Sequence, residues 1–168
     1  MRADPAAFAR ATDRLGAEAS VPALLSATAR TLVEVLDVAA CTISRVIGDL
    51  LVDLVQYQRA GKPPRLGHGY LISDYPLTRE VVERVEPRTV FVADPDADPA
   101  EVRLLRQMNF DALLMVAIEV DGSAWGLAEV YGATGRRFDE EDVAVATEVA
   151  QAVAARLKHL QAHESRRV

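Results

Sequence analysis

Residues 113–142 read LLMVAIEVDGSAWGLAEVYGATGRRFDEED, and the order of patterns within them decides the fold. The apolar run 113–120, the Asp121-Gly122 pair and the second apolar run 123–131 predict two strands joined by a two-residue hairpin turn. Beyond Gly132 and Gly135 come Arg136-Arg137-Phe138 and then four carboxylates, Asp139 to Asp142. Unpaired N–H groups and the macrodipole favour negative charge at a helix start, so a helix is expected to open there.

Within that helix Val143, Ala146, Ala150, Val153, Leu157 and Leu160 recur at spacings of three and four, which puts them on one stripe. The spacing is that of a coiled-coil seam. Covering the chain's own sheet and packing on a second copy are both open. Leu157 and Leu160 extend past the shelter of one small sheet, so these six residues form the predicted homodimer interface.

Working outward, 168 residues, half of them apolar, suit one globular core. The net charge is −6 and the cations are dispersed, which argues against a nucleic-acid partner. The lone Cys41 supports no internal disulfide and no cysteine-cluster zinc site, and fits a reducing cytoplasm. Arg2, Asp4 and Pro5 interrupt the place of an export signal's apolar core. No apolar run approaches the ~18 residues of a membrane span, so a soluble cytoplasmic protein is expected.

Asp4-Pro5 and Ser20 with Pro22 predict two front helices, one with Phe8, Ala11, Thr12 and Leu15 inward, the next with Val21, Leu25, Thr28, Leu32 and Leu36 inward. The β-branched runs 40–47 and 50–58 flank Gly48-Asp49, a second hairpin. A Gly/Pro-rich loop spans 59–69, followed by a short strand at 70–72 and a helix capped by Asp74 that runs from Pro76 to about Glu86, with Leu77, Val81, Val82 and Val85 inward. A short strand, 89–92, precedes the acidic loop 94–98. Its spacing resembles a calcium loop, but Pro99 stands where glycine is needed and Leu105 where a bidentate glutamate is needed. Asp98, Pro99 and Glu101 then open a helix to about Met108, with Glu101 placed to reach back to the cap. The result is an α+β sandwich: an antiparallel sheet with the terminal helices on one face and shorter helices and loops on the other.

The segments 125–131 (WGLAEVY), 137–142 (RFDEED) and the Ala-rich closing helix resemble the GAF domain, a small-ligand and dimerisation module of signalling proteins. That resemblance implies a profilin- or PAS-like six-stranded antiparallel sheet. It places an N-terminal helical extension at 1–20, the GAF domain at 21–160 and a C-terminal tail at 161–168. It also implies a homodimer and a pocket opposite the dimerising helices; the chain is then expected either to act on a separate signalling output protein or to be one part of a longer signalling pathway. Cyclic-nucleotide members carry Asn-Lys-x-Phe-Asp-Glu, and 109–111 (NFD) lacks its Lys and Glu. Bilin-binding members use a pocket cysteine, whereas Cys41 on the first strand reads as a small buried hydrophobe. Haem-binding members use a pocket histidine, and His68 would rim the pocket unless it is a solvated loop residue. The methionine-sulfoxide-reducing branch needs several cysteines, and one is present.

No nucleophile with an activating base, phosphate loop or zinc helix is visible, so no enzyme is expected. His159 and His163 suit the last helix's C-terminal dipole. The expected function is a sensory or regulatory domain in signal transduction that binds a small molecule; the alternative is a structural homodimerisation module without ligand. Candidate ligand contacts are Tyr57, Tyr70, Tyr75, Phe91, Met115 and Trp125, with Arg59, His68, Asp94 and Asp111 as polar orienters. No cofactor or metal is assigned. Arg45 and Glu129, charges on neighbouring apolar strands, are expected either to pair across the sheet or to form a charged pocket floor, and pairing predicts lost stability in Glu129→Ala.

Overall fold

In the computed structural model, which describes residues 4–60 and 68–167, the elements follow one another as α1 (Pro5–Leu15), α2 (Val21–Leu36), β1 (Ala40–Ile47), β2 (Leu50–Gln58) and β3 (Gly69–Leu71). A 3₁₀ turn (Ile72–Asp74), α3 (Pro76–Arg84), β4 (Arg88–Phe91), α4 (Pro99–Met108), β5 (Ala112–Val120), β6 (Ser123–Gly132) and α5 (Glu140–Ser165) complete the chain. The glycine- and proline-rich stretch 61–67 of the expected loop lies outside the described residues.

The strands form one sheet in the order β3-β2-β1-β6-β5-β4, with every neighbouring pair antiparallel. Two hairpins build its centre. Asp121 and Gly122 both have positive φ, as the favoured two-residue turn requires, and Gly48 does the same between β1 and β2. Because side chains alternate across a strand, β5 and β6 divide their apolar residues between two cores. Leu114, Val116, Ala128 and Val130 meet α1, α2 and α5; Leu113, Met115, Leu127 and Tyr131 meet α3 and α4.

Two bulges re-aim this alternation. At Ile43/Ser44 the register passes from Val55 to Asp53, so Leu54 is the extra residue and Asp53 and Gln56 come to the same face. On β6 the register passes from Gly126 to Ala124, which leaves Trp125 as the extra residue. Gly126 beside it is obligatory: a Cβ there would lie 2.5 Å from the Ser44 carbonyl oxygen.

Helix α5 starts with a reciprocal cap, Asp139 accepting from the Asp142 N–H and Asp142 from the Asp139 N–H, each at 2.9 Å. Arg136 grips both Asp142 oxygens at 2.9 and 3.0 Å and also donates to the Leu36 carbonyl, tying α5 to the end of α2.

Four expectations about the helices are corrected. Asp74 does not cap α3; it belongs to the 3₁₀ turn, and Tyr75 holds the cap position without a side-chain bond. That helix stops at Arg84, where Val85 turns left-handed. Glu101 does not reach back to the cap, because its side chain turns inward and is 1 % exposed. Lastly, Leu157 and Leu160 do not stand clear of the core: with Ala146, Ala150 and Val153 they pack against α2, the sheet and Leu15 of α1, and Val143 leans on the same cluster. Helix α1 supplies the shelter that the sheet alone could not, so this stripe presents no free seam to a partner. Beyond Leu160 the helix α5 runs on to Ser165.

Candidate functional site

On the face opposite α1, α2 and α5 the sheet, α3 and α4 enclose a cavity of about 770 Å³, within the range typical of small-molecule sites. Its floor is Thr42 of β1 with Glu129 and Tyr131 of β6; Thr42 and Glu129 are direct cross-strand neighbours. One wall is β2, which contributes Leu51, Asp53, Gln56 and Gln58, the bulge having brought odd and even positions to one side. Tyr70 and Tyr75, packed edge to face, flank the mouth together with the exposed His68. The far wall is Thr78 of α3, Glu101, Leu104 and Gln107 of α4, and Phe110, which stacks on Tyr131 with ring centroids 5.1 Å apart.

Three carboxylates share this space. Glu129, 7 % exposed, accepts a hydrogen bond from the Tyr131 hydroxyl at 3.1 Å. Burial, followed by the negative charges of Glu101 and Asp53, raises its pKa to about 8 despite that bond. Glu101 accepts from the Thr78 hydroxyl, and burial pushes it up as well. Asp53 accepts from the Ser44 hydroxyl at 2.7 Å and is raised by burial, with Ser44 and His68 opposing. Burial also raises Tyr131, reinforced by the neighbouring Glu129. Among the described residues, none of the three carboxylates is in an ion pair.

Of the candidate contacts, the structure brings His68, Tyr70 and Tyr75 to the cavity. The others lie elsewhere. Tyr57 alternates with Gln56 and Gln58 and therefore points to the helix-covered face, where Arg30 stacks on its ring. Arg59 pairs with Asp37. Phe91 carries the Arg137 guanidinium 4.3 Å from its ring centre, and that guanidinium pairs with Asp94. Asp111 accepts the Gly135 N–H at 2.9 Å. Met115 is buried beneath Thr78 and does not reach the cavity wall. Trp125, displaced by its bulge, lies under Arg45 with 4.5 Å to the ring centre.

Arg45 and Glu129 form no pair. Arg45 is opposite Gly126, three residues along β1 from Thr42, and an odd offset sends its side chain to the other face. It donates to the Val46 and Trp125 carbonyls instead. The predicted cost of Glu129→Ala through an orphaned Arg45 therefore falls away. Cys41 is buried in the helix-side core, and burial raises its thiol.

Thr42, Asp53, Gln56, Gln58, Thr78, Glu101 and Tyr131, with the apolar Leu51, Leu104 and Phe110 and the amide Gln107, are among the site residues that sequence reasoning missed. A signal existed for some: Thr42 and Ser44, Gln56 and Gln58, and Glu129 and Tyr131 are polar pairs two apart within strands, hence on one face. Among the described residues, no group of three His, Cys, Asp or Glu is arranged to hold a metal, and no helix is long and apolar enough to cross a membrane.

A family model described as "GAF domain" matches residues 20–157. A search of curated proteins returns no match. Among solved structures, bacteriophytochrome RpBphP3 from the photosynthetic bacterium R. palustris superposes with a TM-score of 0.85 at 16 % identity, over 99 % of this chain and 40 % of that one. The chromophore-binding domain of RpBphP3 gives 0.82 at 16 % identity, over 97 % of this chain and 65 % of that one. The chromophore-binding domain of the Stigmatella aurantiaca bacteriophytochrome gives 0.76 at 18 % identity, over 92 % and 61 %. This chain thus spans less than two thirds of each of these relatives. At such identities the likeness is one of fold, and the six-stranded antiparallel α+β architecture agrees with it.

Proposed function

The chain belongs to the GAF domain family, and on that premise we propose that it is a non-enzymatic sensory or regulatory domain in signal transduction, which binds a small molecule in the cavity bounded by β1, β2, β6, α3 and α4. The observation that carries this reading is the cavity's open volume of about 770 Å³, placed over the buried polar side chains of Glu101 and Glu129. A domain kept only for dimerisation would gain stability by filling that space with apolar side chains. The ligand sits on one side of the sheet and α1, α2 and α5 on the other. Occupancy reaches an output partner only by favouring one arrangement of that helical layer over another.

Homodimerisation in the cytoplasm is part of the same proposal. Because the 143–160 stripe is taken up by the chain's own core, the contact between copies uses the outer surface of the helical layer.

Native mass spectrometry of the purified chain, with thermal-shift screening against a metabolite panel, tests both parts. The expected result is a dimer that retains, or is stabilised by, a compound of a few hundred daltons, and loses that response in Gln107→Trp, which crowds the cavity from the exposed side of α4. A monomer without any ligand response would refute the proposal.

A further inference from the structure

The cavity has a sign. Asp53, Glu101 and Glu129 line it, and no lysine or arginine side chain lines it among the described residues. Glu101 and Glu129 are both more than nine-tenths buried, and each accepts a single hydrogen bond, from a neutral hydroxyl, among the described residues. A carboxylate has two oxygens and room for about four donors. A buried one with a single neutral donor and no counter-charge is poorly compensated, and the described side chains supply nothing further.

Around these groups stand aromatic and amide side chains. Tyr70 and Tyr75 flank the mouth, and Phe110 and Tyr131 stack at one end. Aromatic faces attract cations and flat apolar bodies alike. A phosphate, carboxylate or other anion would meet three acidic side chains with, among the described residues, no lysine or arginine beside them to receive it.

Resting on the small-molecule reading above, we infer that the ligand class is a small organic cation: an ammonium, amidinium or guanidinium group on a flat apolar body. Its N–H donors reach Glu129 at the floor with Asp53 and Glu101 on either side, and its body lies along the tyrosines and Phe110. The positive group supplies at once the counter-charge and the donors that these carboxylates lack.

Isothermal titration of the full chain with two isosteric sets tests this: benzamidine, benzamide and benzoate, and tryptamine, indole-3-ethanol and indole-3-acetate. In each set the cation is expected to bind at least about tenfold more tightly than its neutral isostere, with the anion weakest. Glu129→Gln, which keeps the side chain's shape and its bond from Tyr131, is expected to erase most of that preference, and Asp53→Asn to reduce it. Circular dichroism and urea midpoints confirm that both variants fold. A neutral or anionic member that binds as well as the cation overturns the cation assignment while leaving a small-molecule pocket in place. A cation preference that survives both substitutions overturns the assignment to these carboxylates. Binding by none of the six overturns the inference, and the native spectrum then decides the broader reading separately.

Discussion

Replacing Glu129 with glutamine removes the carboxylate that burial disturbs most, and should change how folding stability depends on pH. In the folded chain its pKa lies near 8 against an ordinary value of 4.5. Between those values the folded state holds a proton that the unfolded state has released, so stability is at its fullest below pH 4.5 and declines as pH rises through 8. The slope reaches about 1.4 kcal/mol per pH unit midway and flattens near each pKa, which leaves about 3–4 kcal/mol between pH 5 and pH 8. Charged groups coupled to Glu129 are Asp53 from β2 and Glu101 from α4, both shifted upward by their own burial, so they steepen the decline. Tyr131, Tyr75 and Cys41, also coupled to it, are shifted upward too and stay neutral across this range. Urea denaturation of wild type and Glu129→Gln from pH 5 to pH 8 isolates the Glu129 contribution as the difference between the two curves. The two proteins should be similar near pH 5, and the variant should be the more stable by about 3–4 kcal/mol near pH 8. Parallel curves across the range would refute the reasoning, because they would mean that Glu129 is solvated or has a cationic partner.

Gly126→Ala should lower stability by about 2–3 kcal/mol, read as a fall in melting temperature, since its Cβ would lie 2.5 Å from a backbone oxygen of Ser44 that cannot move without shifting β1. Arg136→Ala should cost about 3 kcal/mol in urea denaturation, because it leaves Asp142, 4 % exposed, without its forked partner; Arg136→Lys should recover only part of that. Leu157→Ala should cost about 2–5 kcal/mol by cavity formation, with no change in subunit number by light scattering, because its side chain is in the chain's own core. A stable Leu157→Ala protein that dissociates would restore the stripe to an interface.

Much of the candidate site was hidden in the sequence because the cavity-lining residues do not sit together along the chain. Tyr57 and Trp125 look like pocket aromatics, yet strand parity in one case and a bulge in the other send them to the helix side. Glu101 reads as an ordinary third-position helix acid, and only the packing of α4 over the sheet turns it inward against Thr78. Phe91, Asp94 and Asp111 lie near Arg137 and Gly135 in the bends that lead to α5, and there they hold loops in place.

The chain's local chemistry was enough for the order of elements, the two hairpins and the antiparallel α+β class. Each of these depends on short-range causes: turn residues that accept positive φ, caps that satisfy free N–H groups, and apolar periods of two or about 3.6. Which face each side chain joined was settled only by the assembled sheet, through the bulges at Leu54 and Trp125, and so was the meeting of Asp53, Glu101 and Glu129 around one cavity. A bulge reverses the side of everything beyond it, and carboxylates some thirty to eighty residues apart acquire a common electrostatic fate only when the fold withdraws water from all of them together.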